Sequence, residues 1–77
     1  MTINEEIENL NGVLKELIKR RDKLYQFKLL LKQTREEMNL RQTDFESMNK
    51  KATTAILAIE IKLESVRDRK YDLTRKI

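Results

Sequence analysis

The sequence predicts an all-α fold: an antiparallel, coiled-coil-like helical hairpin that dimerises into a four-helix bundle. Apolar residues recur at every seventh position through both halves of the 77-residue chain, which is the repeat of packed helices. Proline is absent and glycine occurs once, so long helices meet little resistance. Charged residues make up 39% of the chain and leave only narrow apolar stripes. We therefore expect one helical-hairpin domain over residues 1–77.

A first helix is predicted over about residues 3–38. Thr2 and Glu5 have the spacing of a capping box, so the helix is expected to begin there. Gly12 costs a helix interior roughly 1 kcal/mol, but the apolar spacing continues through it and the glycine is interpreted as tolerated. The main apolar column repeats every two turns and so lies on one side of the helix. Its members are Ile3, Leu10, Leu17, Leu24, Leu31 and Met38.

About residues 39–43 are expected to form the turn. Asn39 can adopt the left-handed conformation that ends many helices. Thr43 and Glu46 have the spacing of a second capping box, which predicts that the next helix begins near residue 44. Because neither glycine nor proline marks this turn, one uninterrupted helix through the whole chain is the alternative.

The second helix is predicted over about residues 44–77 and repeats the design of the first. Its column and the positions beside it span an arc of roughly 100°, the width of a buried helix face. The column is Phe45, Ala52, Ile59, Val66 and Leu73, with Met48, Ala55, Ile56, Leu63 and Ile77 beside it. The alanines allow the two helices to approach closely.

Folding the chain back near Arg41 places residue i of the first helix beside about residue 82 − i of the second. The two ends of the hairpin then carry opposite charges, with Glu5 and Glu6 near Arg75 and Lys76. Each exposed pair contributes only ~0.2–1 kcal/mol, so the charges are expected to select the pairing rather than to stabilise it.

Apolar residues outside the two columns predict association with a second copy. Two helices alone enclose no core, and a domain of this size is marginally stable by itself. In the hairpin register these extra residues meet near the middle of the molecule, and we call them the tyrosine patch. The tyrosine patch is Ile18, Tyr25, Leu29, Leu57 and Ile61. We expect a homodimer, with the packing of the hairpins, parallel or antiparallel, left open.

The composition argues against an enzyme and against a cofactor or metal site. Cysteine and histidine are both absent, which removes disulfides, thiolate and imidazole metal ligands, and the usual base at neutral pH. No stretch is apolar enough to cross a bilayer, and the first fifteen residues lack the pattern of a signal peptide. We expect a cytoplasmic protein that does not enter membranes.

A basic stripe is the one charged feature that suggests a ligand. Four basic residues line up on one side of the first helix: Arg21, Lys28, Lys32 and Arg35. They are interpreted either as a solvated side that forms salt bridges or as a surface, doubled by dimerisation, that contacts phosphates or an acidic partner. A net charge of +4 is modest for nucleic-acid binding, and aromatic residues for base stacking are scarce.

The favoured function is a small, non-enzymatic interaction protein: an adaptor, inhibitor or regulator that binds a protein partner. The size of the chain and its Lys/Asn/Ile-rich composition are typical of proteins encoded by phages and mobile elements, and we expect such a source. The design resembles the Rop family of plasmid RNA-binding proteins, hairpins that dimerise into four-helix bundles. This resemblance covers the whole chain in architecture, without a shared sequence motif, and it implies the alternative function, a regulator that binds RNA or DNA.

Two partial resemblances fail at particular residues. Residues 35–60 are similar to a helix-turn-helix of phage-repressor type, but Glu46 stands where that family has a small alanine and Lys50 where it has the turn glycine. Arg21 and Lys32 have the spacing of two substrate-binding residues of all-helical chorismate mutases. Asn4 stands where that family has an N-terminal arginine, and most of the remaining site is missing.

Overall fold

Helix α1 covers Ile3–Met38 and begins at the cap that the sequence supplies. In a computed structural model that describes residues 2–77, the Thr2 backbone is extended and its hydroxyl accepts a hydrogen bond from the Glu5 N–H at 3.2 Å. Glu5 and Glu6 lie in the first turn, where carboxylates favour the positive end of the helix dipole. Gly12 continues the helix, and a Cβ there would meet nothing within 4 Å. The cap and the tolerated glycine are confirmed.

The turn is shorter than predicted. Asn39 has the expected left-handed conformation, with φ 52° and ψ 46°, and it reverses the chain directly after α1. Arg41 is already the extended residue that precedes α2, and its carbonyl accepts from the Phe45 N–H at 3.0 Å. Since residues 39–41 complete the reversal, the next helix starts before Thr43, which lies in its first turn. The second capping box is therefore wrong, and no side chain caps this helix.

Helix α2 covers Gln42–Arg75, two residues earlier at each end than predicted. Its last turn closes with hydrogen bonds from the Lys76 N–H to the Leu73 carbonyl at 3.1 Å and from the Ile77 N–H to the Thr74 carbonyl at 3.3 Å. The two helices, of 36 and 34 residues, pack antiparallel as a hairpin that measures 56 × 16 × 15 Å. The all-α hairpin is confirmed, and the single uninterrupted helix is excluded.

A single row of apolar side chains between the helices forms the core. Leu63 is the most buried of them, at 1% exposure. The buried set is Leu17, Leu31, Ala52, Ile56, Leu63 and Leu73. All six belong to the columns, or to the positions beside them, that the sequence predicted. Two members of the predicted buried set are not buried: Met38 at the end of α1 and Ile77 at the end of the chain are both exposed.

Side chains that cross between the helices confirm the predicted register. Tyr25 contacts Glu60, Lys28 contacts Thr53, and Arg35 covers Phe45, so residue i lies opposite about residue 82 − i. The charges expected to face one another at the two ends form no ion pair among the described residues, and their role in selecting the pairing stays a prediction. Within residues 2–77 the ion pairs join Arg20 to Glu16 and Arg21 to Asp22, all on α1. Long exposed side chains gain too little from pairing to be held together.

Neither of the two described helices contains a segment that is long and apolar enough to cross a membrane.

Candidate interaction surfaces

Two helices that pack along one line leave two open flanks, each built from both helices. Tyr25 and Glu60 meet on one flank, which we call the tyrosine face. Phe27 follows Tyr25 by two residues and so lies roughly 200° further around α1. Phe27 and Ala55 line a recess on the opposite flank, which we call the groove face. These two faces are the candidate interaction surfaces of the hairpin.

A hydrogen bond across the two helices organises the tyrosine face. The Tyr25 hydroxyl donates to Glu60 Oε1 at 3.0 Å while the side chain stays 48% exposed. This bond raises the pKa of the Tyr25 phenol above its ordinary value, because the phenol can donate to Glu60 only while it keeps its proton. Partial desolvation and the charge of Glu60 act in the same direction, and Arg21 opposes them. The bond keeps the tyrosine ring against α2.

The residues of the tyrosine patch lie on the surface of the hairpin. Leu29, Leu57 and Ile61 are 59%, 54% and 69% exposed, whereas Ile18 is half-buried. Tyr25 crosses to Glu60, which lies one turn beyond Leu57, so the tyrosine face joins patch residues of both helices. Ile61 lies on the outer side of α2, because it follows the interhelical residue Ile59 by roughly 200°. Self-association through this patch stays a prediction.

The hairpin itself engages three of the four residues of the basic stripe. Lys28 Nζ donates to Thr53 Oγ1 at 3.0 Å. The guanidinium of Arg35 lies 4.5 Å from the centre of the Phe45 ring and donates to Gln42 Oε1. Arg21 pairs with Asp22 at 3.6 Å. Lys28 and Arg35 therefore help to join the helices, whereas the ion pair of Arg21 stays within α1. The role of the stripe as a set of phosphate or acidic-partner contacts stays a prediction.

Lys32 differs from the other three residues of the stripe. It is exposed, and it forms no hydrogen bond or ion pair within the described residues. Arg21 lies at the edge of a shallow charged depression whose other charged residues come from α2: Glu60, Glu64, Arg67 and Asp68. The Nε atom of Arg21 is buried and has no hydrogen-bond partner within the described residues. The tyrosine face thus carries both signs of charge beside its apolar residues.

The groove face has an apolar recess of about 260 Å³ between the helices. Phe27 and Met48 stand at its edges, each 44% exposed. The small side chains of Ala52 and Ala55 leave the recess open where a larger residue would fill it. Leu24 and Lys51 complete the lining. The recess can receive apolar side chains of a partner.

The groove face was not predicted from the sequence. Phe27 belongs to a heptad column that also contains Glu6 and Arg20, so the column does not stand out as apolar. Leu24, Phe27 and Leu31 nevertheless follow the spacing of a helix face. Val13 and Leu30, 43% and 60% exposed, were overlooked for the same reason. The informative signal was a local apolar cluster rather than a long column.

No protein-family model, curated protein or solved structure matches the chain. Among residues 2–77, no three histidine, cysteine, aspartate or glutamate side chains are grouped so that they could hold a metal ion. The function of the chain is therefore inferred from the tyrosine face and the groove face.

Proposed function

We propose that this protein is a small, non-enzymatic interaction protein, a cytoplasmic adaptor, inhibitor or regulator that acts as a homodimer and binds a protein partner. One observation carries the proposal. Large apolar side chains, including Leu29 and Leu57, remain more than half exposed on a hairpin whose own interface is complete without them. Contiguous exposed apolar residues on a soluble protein mark an interaction surface.

The charges of the tyrosine face suit a second copy of the same chain. A two-fold interface brings the same patch of both copies together, so it requires a surface that complements itself. Arg21 and Arg67 lie beside Glu60 and Glu64 around the depression on this face. Each copy can thus set a positive group against a negative one, and the two hairpins would form a four-helix bundle.

The contacts of the basic stripe favour a protein partner over nucleic acid. Lys28 and Arg35 contact Thr53 and Phe45, and Tyr25 donates to Glu60, so the stripe and its nearest aromatic residue already have partners within the hairpin. The second candidate is a Rop-like RNA or DNA binder. The net charge of +4 and the free Lys32, doubled in a dimer, favour it. Binding to RNA that weakens steeply with salt would support this candidate.

Leu57→Glu and Leu29→Glu test the proposed dimer. If the patch is buried between two copies, each change places an unpaired charge in an apolar interface and costs several kcal/mol. Sedimentation equilibrium should then show monomers, with a large fall in melting temperature.

The control for this test is Lys19→Glu, which changes the charge at an exposed residue outside the patch and should leave the dimer intact. Dimeric Leu57→Glu and Leu29→Glu variants that melt as the wild type does would exclude the tyrosine patch as the interface.

A further inference from the structure

The groove face differs from the tyrosine face in having no polar network over its apolar residues. Phe27 and Met48 are both 44% exposed, and Ala55 lies between the helices at the level of Phe27. Lysines are placed on both helices beside the recess. Lys51 lines it from α2, and Lys23 lies one turn before Phe27 on α1. The result is an apolar floor with positive charge on either side.

We infer that the groove face binds an amphipathic helix of another protein, one that carries acidic residues on both sides of its apolar stripe. This inference rests on the proposed function as an interaction protein and names the class of its partner. The third helix would lie along α1 and α2 and insert apolar side chains at helical spacing into the recess, as in other helix-in-groove complexes.

The size and shape of the recess fit side chains better than a small molecule. Its volume of about 260 Å³ is below the ~300–1,000 Å³ of typical small-molecule pockets. It is open along its length, and its lining residues belong to two antiparallel helices. Neither helix offers an unpaired backbone edge to which an extended strand could add. A helix is the element that such a groove accepts.

The charge around the recess specifies an acidic partner. Lys23 and Lys51 are exposed, and neither forms a hydrogen bond or an ion pair within residues 2–77. Arg20, one turn before Leu24, is paired with Glu16 at 3.6 Å. Asp44 lies one turn before Met48, near the turn of the hairpin. We therefore place the acidic residues of the partner away from that end.

A second copy of this chain is a poorer occupant of the groove. A two-fold contact would bring Lys23 and Lys51 of one copy toward the same basic surroundings in the other. Like charges at an interface disfavour that pairing. The tyrosine face, with both signs of charge, lacks this conflict. The two faces can thus act independently, one for self-association and one for the partner.

Two synthetic peptides test the inference. Each is a helix of about 20 residues, roughly 30 Å long, with leucine at heptad positions a and d. One peptide carries glutamate at positions e and g, and the other carries lysine at the same positions. In each peptide the like charges at e and g also hinder self-association. By fluorescence anisotropy at low salt, the glutamate peptide should bind the wild-type protein at least about tenfold more tightly. Equal binding of the two peptides would overturn the inference.

Charge reversal locates the site. The double variant Lys23→Glu with Lys51→Glu should invert the preference and favour the lysine peptide. The matched control is Lys19→Glu with Lys50→Glu, the same change of charge at exposed residues outside the groove, which should leave the preference unaltered. An unaltered preference in the Lys23/Lys51 variant would overturn the inference.

Phe27→Ala tests the apolar part of the site. It should weaken the glutamate peptide several-fold, whereas Tyr71→Ala, an aromatic deletion at an exposed residue outside the groove, should not. Ultracentrifugation of the same variants separates this inference from the proposed dimer. A Phe27→Ala variant that dissociates into monomers would show that the groove is the self-association surface and would overturn the inference. The dimer proposal fails separately if Leu57→Glu and Leu29→Glu stay dimeric while the glutamate peptide still binds.

Discussion

The tyrosine face and the groove face flank the same interhelical core, yet they differ in how their polar groups are used. On the tyrosine face, Glu60 accepts from Tyr25 and Thr53 accepts from Lys28, so polar groups cross between the helices and are satisfied there. On the groove face, Phe27 lies opposite the small Ala55, and the recess between them is apolar. Hydrogen bonds between side chains bridge the tyrosine face, whereas a large residue opposite a small one leaves an apolar recess on the groove face.

This difference implies that the tyrosine face contributes more to the pairing of the helices and that the groove face is freer to bind a partner. The cross-helix hydrogen bonds of the tyrosine face join α1 to α2, so that face also takes part in the pairing of the helices. The groove face contributes no such bond from its recess, and its lysines remain unpaired in the part of the chain that the structure describes. Apart from Ala52, which is 4% exposed and belongs to the core, residues of the groove face should tolerate substitution with little effect on the fold. A change in the shared core should damage both faces together.

The largest effect is expected from Leu63→Ala. Leu63 is 1% exposed, and removing its side chain leaves a cavity between the helices that should lower the free energy of unfolding by about 2–5 kcal/mol. Urea denaturation followed by circular dichroism measures this change. Leu30→Ala is the control: Leu30 is 60% exposed, so the same deletion should change stability little. Equal effects of the two substitutions would contradict the placement of the core.

A smaller effect is expected at the turn that holds both faces in register. Asn39 has φ 52°, a conformation that a β-branched residue adopts only with strain, so Asn39→Val should destabilise the hairpin by about 1–2 kcal/mol. Asn39→Gly, which accepts this conformation freely, should retain the wild-type stability or exceed it. Thermal melts at one protein concentration compare the variants. A valine variant as stable as the glycine variant would contradict the left-handed turn.

The hairpin was predictable because its main signals are local and repeated. The heptad columns, the Thr2 cap and the left-handed Asn39 each depend on the identity of residues within one or two turns. The start of α2 was not predictable in the same way. It depends on how many residues the chain needs to reverse, and the reversal at Asn39 left Thr43 inside the helix.

The two faces were harder to predict than the fold, because a flank exists only after two helices have paired. Tyr25 and Leu57 were placed at one level by the register alone, and both side chains are about half exposed on the hairpin. The bond from Tyr25 to Glu60, and the ring of Phe45 beneath Arg35, depend on rotamers that periodicity does not specify. Phe27 was hidden because Glu6 and Arg20 share its column.

The smallest effect is a titration that reports on the tyrosine face alone. The chain has two tyrosines, so Tyr71→Phe leaves Tyr25 as the only phenol that absorbs when ionised. In that background the hydrogen bond to Glu60 should keep the pKa of Tyr25 above the ordinary value of ~10, and Glu60→Gln should lower it. Ultraviolet absorbance against pH measures the pKa of Tyr25 in both variants.

Because the folded-state pKa is higher than the unfolded-state pKa, the stabilisation from this hydrogen bond is complete below about pH 10 and is lost as the pH rises through the folded-state pKa. Burial of the tyrosine face in a dimer would desolvate the phenol further, so the pKa should also rise with protein concentration, and Leu57→Glu should abolish that rise. A pKa that responds to Glu60→Gln but not to concentration would confirm the contact within the hairpin and place the second copy elsewhere.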